Sequence, residues 1–234
     1  MITYCVSDIH STISKFKKSK PRDAKHIIIN GDLFNKSVEQ EETLFWLLEN
    51  YNNPRYTFIF GNHEVRFFNE LYRILKSGKL ETGGLYDAWF ESDNPFNIAN
   101  VAKRLIDDGK LDPDFLFKKV LPVFKWYHIV KPYKTTYIIA HASWEINKKP
   151  EQQNRKNLIY DTIRFFNQIR KINNPVLDKY AQKCLKNNIR HVFGHYVCWK
   201  VFKTDAPYIS RQVFYFIDNG VFKKAHNYYF MPLL

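Results

Sequence analysis

The chain has 234 residues, an ordinary length for one α/β domain and enough to bury a substantial core. Its formal charge is +13, and its three cysteines, Cys5, Cys184 and Cys198, are scattered and odd in number, which excludes a cysteine-knuckle metal site and fits a reducing cytosol. No apolar leader precedes the first predicted strand and no apolar run approaches a membrane span, so the expected location is cytoplasmic, with no membrane partner.

In chain order, apolar β-branched runs predict strands at 2–6, 26–30 and 56–60, with a short basic segment after the first. A helix is predicted over about 39–50, where Leu44, Phe45, Leu47 and Leu48 recur at near-helical spacing, and another over about 64–76. Residues about 77–120 lack strand signals, contain Gly83-Gly84 and Pro95, and carry amphipathic stretches. They read as a mostly helical insertion or cap over the site, able to set substrate choice. Strands follow near 126–130 and 135–140, then helices over 157–172 and 176–187, divided near Asn174-Pro175. The tail alternates strand and turn through 190–193, 198–203, 208–217 and 220–230. No repeat, low-complexity tract or linker interrupts this order, so 1–234 reads as a single domain.

Five blocks at the predicted strand ends carry the chemistry: Ser7-Asp8-Ile9-His10, Gly31-Asp32, Gly61-Asn62-His63-Glu64, His141-Ala142 and Gly194-His195. Ile217-Asp218-Asn219-Gly220 forms a sixth. Asp8 and His10 are two residues apart, so at an extended strand end both side chains point the same way. That pairs a hard oxygen with a borderline nitrogen, which suits iron, manganese or zinc better than calcium. Ligands at the ends of several strands converge on one sheet edge. Gly31, Gly61 and Gly194 each precede a candidate ligand, where a tight turn must bring backbone close.

The order DxH, GD, GNHE, HA, GH and a late IDxG resembles the calcineurin-like metallophosphoesterases. Within them it is most similar to the branch of Ser/Thr phosphoprotein phosphatases, their small phage and bacterial relatives of the lambda-phosphatase type, and symmetrical diadenosine tetraphosphatases. The resemblance implies a four-layer αββα sandwich and two divalent metal ions, manganese first, with iron or zinc as alternatives. It implies hydrolysis of phosphate esters by direct attack of a metal-bound hydroxide, the two cations lying roughly 3.5–4 Å apart. Asp8, His10 and Asp32 would hold one ion. Asp32 would bridge to the second, completed by Asn62, His141 and His195. His63 would protonate the leaving oxygen, and Asn62 would also face substrate phosphate. The last motif, Gly194-His195-Tyr196-Val197, lacks the extra histidine of many relatives, which favours the phosphoprotein-phosphatase arrangement.

Two departures sit side by side in Gly31-Asp32-Leu33-Phe34-Asn35-Lys36, where the family pattern is GDxVDRG. Asn35 takes the place of the aspartate that orients and charges the catalytic histidine. It is expected to accept a hydrogen bond from His63 while leaving that histidine with a lower pKa. Lys36 replaces a phosphate-binding arginine with a point charge lacking a bidentate fork. For the family's second phosphate-binding arginine the candidate is Arg164, with Arg155 and Arg170 behind it.

The bland readings fall on the remaining groups. His26, His128, His191 and His226 read as structural or solvent-facing, Glu64 as a loop cap, and Asp218 as support from a strand end; Arg66, just after the Gly61-Asn62-His63-Glu64 block, is placed to approach substrate but reads first as part of a solvated helix face. Basic clusters at Lys15 to Lys25, Lys118-Lys119, Lys148-Lys149 and Lys223-Lys224 would attract phosphorylated, acidic substrates. An AT-rich genome would also produce them. The resemblance makes a phosphorylated protein the expected substrate. A nucleotide or nucleic-acid phosphoesterase, such as a dinucleoside polyphosphatase, is the second reading, and a weakly active phosphate- or nucleic-acid-binding module the third. Oligomeric state is left open.

Overall fold

The computed structural model describes residues 2–77, 97–160, 163–171, 173–204, 206–220 and 227–234. The first half runs β1 (Ile2–Val6), α1 (Ile13–Ser19), β2 (Ala24–Asn30), α2 (Gln40–Asn50), β3 (Tyr56–Ile59), α3 (Asn62–Ser77), α4 (Ile98–Asp107) and the short α5 (Pro113–Phe115). The second runs β4 (His128–Val130), β5 (Thr136–Ile139), α6 (Arg155–Ile159), α7 (Ile163–Arg170), α8 (Pro175–Lys186), β6 (Ile189–Phe193), α9 (Cys198–Val201), β7 (Tyr208–Ser210), β8 (Phe214–Phe216) and β9 (Met231–Leu233).

Period-two alternation along the strands makes the layers. Val6, Ile27 and Ile29 point into a core shared with the helices that follow the early strands, where Phe16, Trp46, Leu47, Phe67 and Ala102 meet them. Their neighbours Cys5 and Ile28 point the other way, onto Tyr137, Ile139 and Val192 of the opposite sheet. On the far side, Phe193, Phe214 and Phe216 pack against Phe165, Ile169, Leu177 and Ala181 from α7 and α8. Helices, sheet, sheet, helices: the four layers expected from the resemblance are present. One sheet has the order β3-β2-β1-β9, parallel except for β9, and the other has β4-β5-β6-β8-β7, antiparallel at both edges.

Several elements differ from the sequence reading. The basic segment after β1 contains α1, with Ile13 and Phe16 buried beneath exposed Lys17 and Lys18. The helix predicted over 157–172 is two helices, α6 and α7. The strand predicted at 198–203 is the helical turn α9, an apolar run too short for its period to decide between helix and strand. The strand predicted at 208–217 is a hairpin, folded between β7 and β8 by Arg211 and Gln212 at φ 50 and 58. The last strand, β9, closes the first sheet against β1 and was not foreseen. In the predicted insertion, 78–96 lies outside the described residues, and α4 packs with α2 and α3 in the helix layer. Among the described residues no helix is long and apolar enough to cross a membrane.

One side chain fixes the loops that leave β2 and β3. Glu64, in the first turn of α3, is fully buried. Its Oε2 accepts from the backbone N–H groups of Asp32 and Gly61, both at 2.8 Å, and its Oε1 accepts from Leu33 at 2.7 Å and Phe34 at 3.3 Å. Removing it would orphan four backbone donors, each costing about 1–3 kcal/mol when buried and unpaired. Glu64→Ala is expected to lower unfolding free energy by at least about 3 kcal/mol in urea denaturation. An unchanged midpoint and slope would show that the loops hold their shape without this clamp.

Candidate metal centre

The candidate ligands follow the C-terminal ends of five parallel strands: Asp8 and His10 after β1, Asp32 after β2, Asn62 after β3, His141 after β5 and His195 after β6. Turning each chain sharply at a strand end requires unusual backbone. Asp8, His10, Asp32 and His195 take φ values of 59, 47, 53 and 61, and Asn35 and Lys36 take 68 and 67. For side-chain-bearing residues this left-handed region costs of order 1 kcal/mol each and persists only where surroundings enforce it. Gly31, at φ 76, has no room for a Cβ, which would come 2.5 Å from His141 Nδ1. A Cβ on Gly194 would collide with the Ser7 hydroxyl and the Asp8 carboxylate.

Asp32 stands at the middle. Its Oδ2 lies 3.6 Å from His63 Nε2 and 3.9 Å from His10 Nε2, and its Oδ1 lies 3.3 Å from His141 Nε2. Two groups of potential ligands result, His10–Asp32–His63 and Asp32–His141–His195, sharing this one carboxylate. Asp8 Oδ1 is 3.6 Å from His10 Nε2, while its Oδ2 accepts from the His195 backbone N–H at 3.0 Å and from the Ser7 hydroxyl. Asn62 Oδ1 lies 3.1 Å from His195 Nδ1. The structure thus brings all six proposed ligands and His63 together.

Neighbouring groups aim the rings. The Phe34 carbonyl sits 3.3 Å from His10 Nδ1, and the Asn30 carbonyl 2.9 Å from His141 Nδ1, so each Nε2 faces inward. Asn30 is itself buried and ties the two sheets by donating Nδ2–H to the Ala140 carbonyl at 3.1 Å. Asn30 and Gln40 were not singled out in the sequence, and Ser7 stood there only as the first residue of its block. Gln40 Oε1 accepts from the Asn35 backbone N–H at 3.1 Å and from Ser11 at 2.6 Å.

The electrostatics suit cations. Burial holds His10 and His63 below the usual imidazole range and brings His195 down to about 4, leaving them neutral, as ligands must be. Burial opposes charge on Asp8 and Asp32 as well, yet the surrounding histidines keep both carboxylates below their ordinary value. Burial also opposes charge on His141, but Asp32 and Asp8 outweigh it and push that ring up to about 10. Burial and then Asp32 raise Glu64 to about 7. Asp218 is pushed well above the carboxylate range by burial and then by Asp8; its Oδ1 accepts from Gly220 N–H at 2.7 Å, in keeping with a supporting place.

Three observations test whether metals fit. His141 Nε2 is buried without a hydrogen bond, although Asp32 is close by. Two buried carboxylates face the histidines and need compensating positive charge. The Lys36 ammonium lies 3.2 Å from His10 Nε2, so a cation is already drawn to a ligand atom. Nitrogen and oxygen donors in this mixture suit manganese, iron or zinc.

Other expected residues lie elsewhere. The Arg155 guanidinium sits over the Trp126 ring, 5.1 Å from its centroid, and Arg170 ends α7, exposed. Arg164 is in the first turn of α7, but its side chain lies outside the described residues, as does His226. His26 meets the Pro54 carbonyl and Thr57, and His191 meets the Tyr180 hydroxyl, away from the ligands.

Comparison with known proteins agrees with this geometry. The family described as calcineurin-like phosphoesterase matches residues 1–199. Against curated protein sequences the chain finds no match. Among solved structures, a protein proposed to be a diadenosine tetraphosphatase is 12% identical, with a TM-score of 0.57 over 99% of this chain and 93% of that one. A hypothetical protein, PH1004 from Pyrococcus horikoshii OT3, is 9% identical, with a TM-score of 0.50 over 93% of this chain and 77% of that one. A serine/threonine phosphatase from Saccharomyces cerevisiae, similar to human PP5, is 12% identical over 92% of this chain and 66% of that one, with a TM-score of 0.47. At these identities the likeness to solved structures is one of fold. The family match spans most of the sequence, and on that ground the chain belongs to the calcineurin-like phosphoesterases.

Proposed function

We propose that the chain hydrolyses phosphate monoesters at a dinuclear metal centre, with phosphoserine or phosphothreonine in proteins as its substrate. The observation that carries the reading is Asp32, shared between two groups of ligands. Val197, standing where many relatives have a further histidine, favours the protein-phosphatase arrangement. When bound, two cations supply Lewis acidity and bring the pKa of water toward about 7. Asp8, His10 and Asp32 would hold one, and Asp32, Asn62, His141 and His195 the other. Manganese is the proposed ion.

The remaining work falls to Lys36, Asn35 and His63. Lys36 is partly exposed at the centre and attracts phosphate by charge. Asn35 behaves differently from expectation. Its Oδ1 accepts the Ile98 backbone N–H at 3.2 Å, which fixes the amide orientation, so Nδ2 is the atom 3.2 Å from His63 Nδ1. Asn35 therefore donates to His63 where it was expected to accept. His63 Nδ1 must carry a lone pair, and the ring proton sits on Nε2, which faces Asp32. A neutral ring in this tautomer stabilises a leaving oxygen by hydrogen bonding and is a poor proton donor.

That same contact favours a second reading. Leaving groups of low basicity need little protonation, and the phosphoanhydrides of nucleoside polyphosphates supply them. The experiment offers the manganese-loaded protein a phosphoserine peptide, p-nitrophenyl phosphate, a dinucleoside tetraphosphate and labelled nucleic acid. Preferred turnover of the peptide supports the first reading, and of the tetraphosphate the second. No turnover with salt-sensitive nucleic-acid binding contradicts both and supports a binding module. Asp32→Asn is expected to abolish manganese binding and turnover together; retained turnover defeats the site. Asn35→Asp would let one carboxylate accept from both Ile98 and a doubly protonated His63. Its kcat/KM on the phosphoserine peptide, relative to p-nitrophenyl phosphate, is expected to rise about tenfold or more. An unchanged ratio would contradict the tautomer assignment.

A further inference from the structure

Lys36 leaves the phosphoryl group without the planar fork that an arginine gives, and α3 carries an arginine, Arg66, one turn after Asn62. Among the six ligands, Asp8, His10, Asp32 and His141 are buried, while Asn62 and His195 are partly exposed. Among the described residues, the ligand set is therefore exposed at Asn62 and His195. Arg66 lies four residues after Asn62 on the same helix. Residues at that spacing share a face, with Cβ atoms about 5–6 Å apart. Helical side chains lean toward the N-terminus, the end of α3 that carries Asn62.

This face is not the solvated one that the sequence suggests. The Arg66 side chain is 27% exposed and that of Glu70, one turn further on, only 15%. Arg66 Nε donates to Glu70 Oε1 at 2.6 Å, which pins one edge of the guanidinium and sets its plane. Glu70 Oε2 is buried and has no hydrogen-bond partner. A buried carboxylate in such a position acts as a brace, and it cancels much of the net charge of the pair. Beyond the Nε edge held by Glu70, the guanidinium carries the Nη donors of the planar fork. Tyr160, 39% exposed, feels both groups: burial raises its hydroxyl pKa, while Arg66 pulls it down and Asp32 pushes it up.

We propose that Arg66, braced by Glu70, binds the phosphoryl oxygens of the substrate at the open side of the metal centre and supplies the fork that Lys36 lacks. The proposal rests on the phosphoesterase reading above. It assigns a substrate-binding role to a residue that belongs to none of the family motifs quoted from the sequence.

The test uses the full chain, its Arg66→Ala variant and its Arg66→Lys variant, each titrated with manganese. Steady-state kinetics on p-nitrophenyl phosphate give KM and kcat. Inorganic phosphate supplies an inhibition constant, and a binding constant by calorimetry. Arg66→Ala is expected to raise KM and both phosphate constants about tenfold or more, with manganese binding unchanged. Arg66→Lys, which keeps the charge and loses the fork, is expected to recover only part of that loss. Unchanged phosphate constants in Arg66→Ala overturn the proposal. So does weakened manganese binding, which would make Arg66 a support for Asn62. Full recovery in Arg66→Lys overturns the role of the fork. Absence of turnover in the unaltered protein overturns the phosphoesterase reading, and the calorimetric phosphate constants then judge Arg66 separately.

Discussion

The carboxylate of Asp32 lies buried among His10, His63 and His141, with the rest of the centre arranged around it. A charge removed from water in this way costs several kcal/mol unless opposite charge or hydrogen bonds compensate it. The described groups compensate it only in part: His63 donates its backbone N–H at 3.1 Å, and His141 is drawn toward protonation. Two cations shared at Asp32 would complete the balance, and the six candidate ligands from five strand ends are arranged to hold them.

Holding those ligands is the task of the surrounding backbone. Four of the six stand at positive φ, a conformation that each residue would abandon in an isolated peptide. The loops stay in place because Glu64 gathers four backbone donors and Asn30 joins the two sheets beneath the site. Behind them the three apolar layers, rich in phenylalanine, give a rigid support. Rigidity has a chemical purpose here, since ligands already held in place need no reorganisation to receive the ions.

The layers and the ligand blocks were legible because both depend on local pattern. Val6, Cys5, Ile27, Ile28 and Ile29 alternate between two faces, and the strand-end blocks follow directly upon those runs. What escaped reading depends on partners distant in sequence or on turns without their usual residues. The β7–β8 turn uses Arg211 and Gln212 at positive φ where glycine or asparagine would have announced it. α1 hides its two buried residues among lysines. The orientation of Asn35 is fixed by Ile98, 63 positions away, and no spacing rule reports it. Arg66 read as solvated because spacing along a helix does not report how deeply its side chain and that of Glu70 are buried.

The central claim is that two cations meet at Asp32, and diffraction from manganese-soaked crystals, measured at the manganese absorption edge, tests it most directly. The account predicts two anomalous peaks per chain, roughly 3.5–4 Å apart, with Asp32 between them. A single peak, or peaks away from His10, His141 and His195, would contradict it.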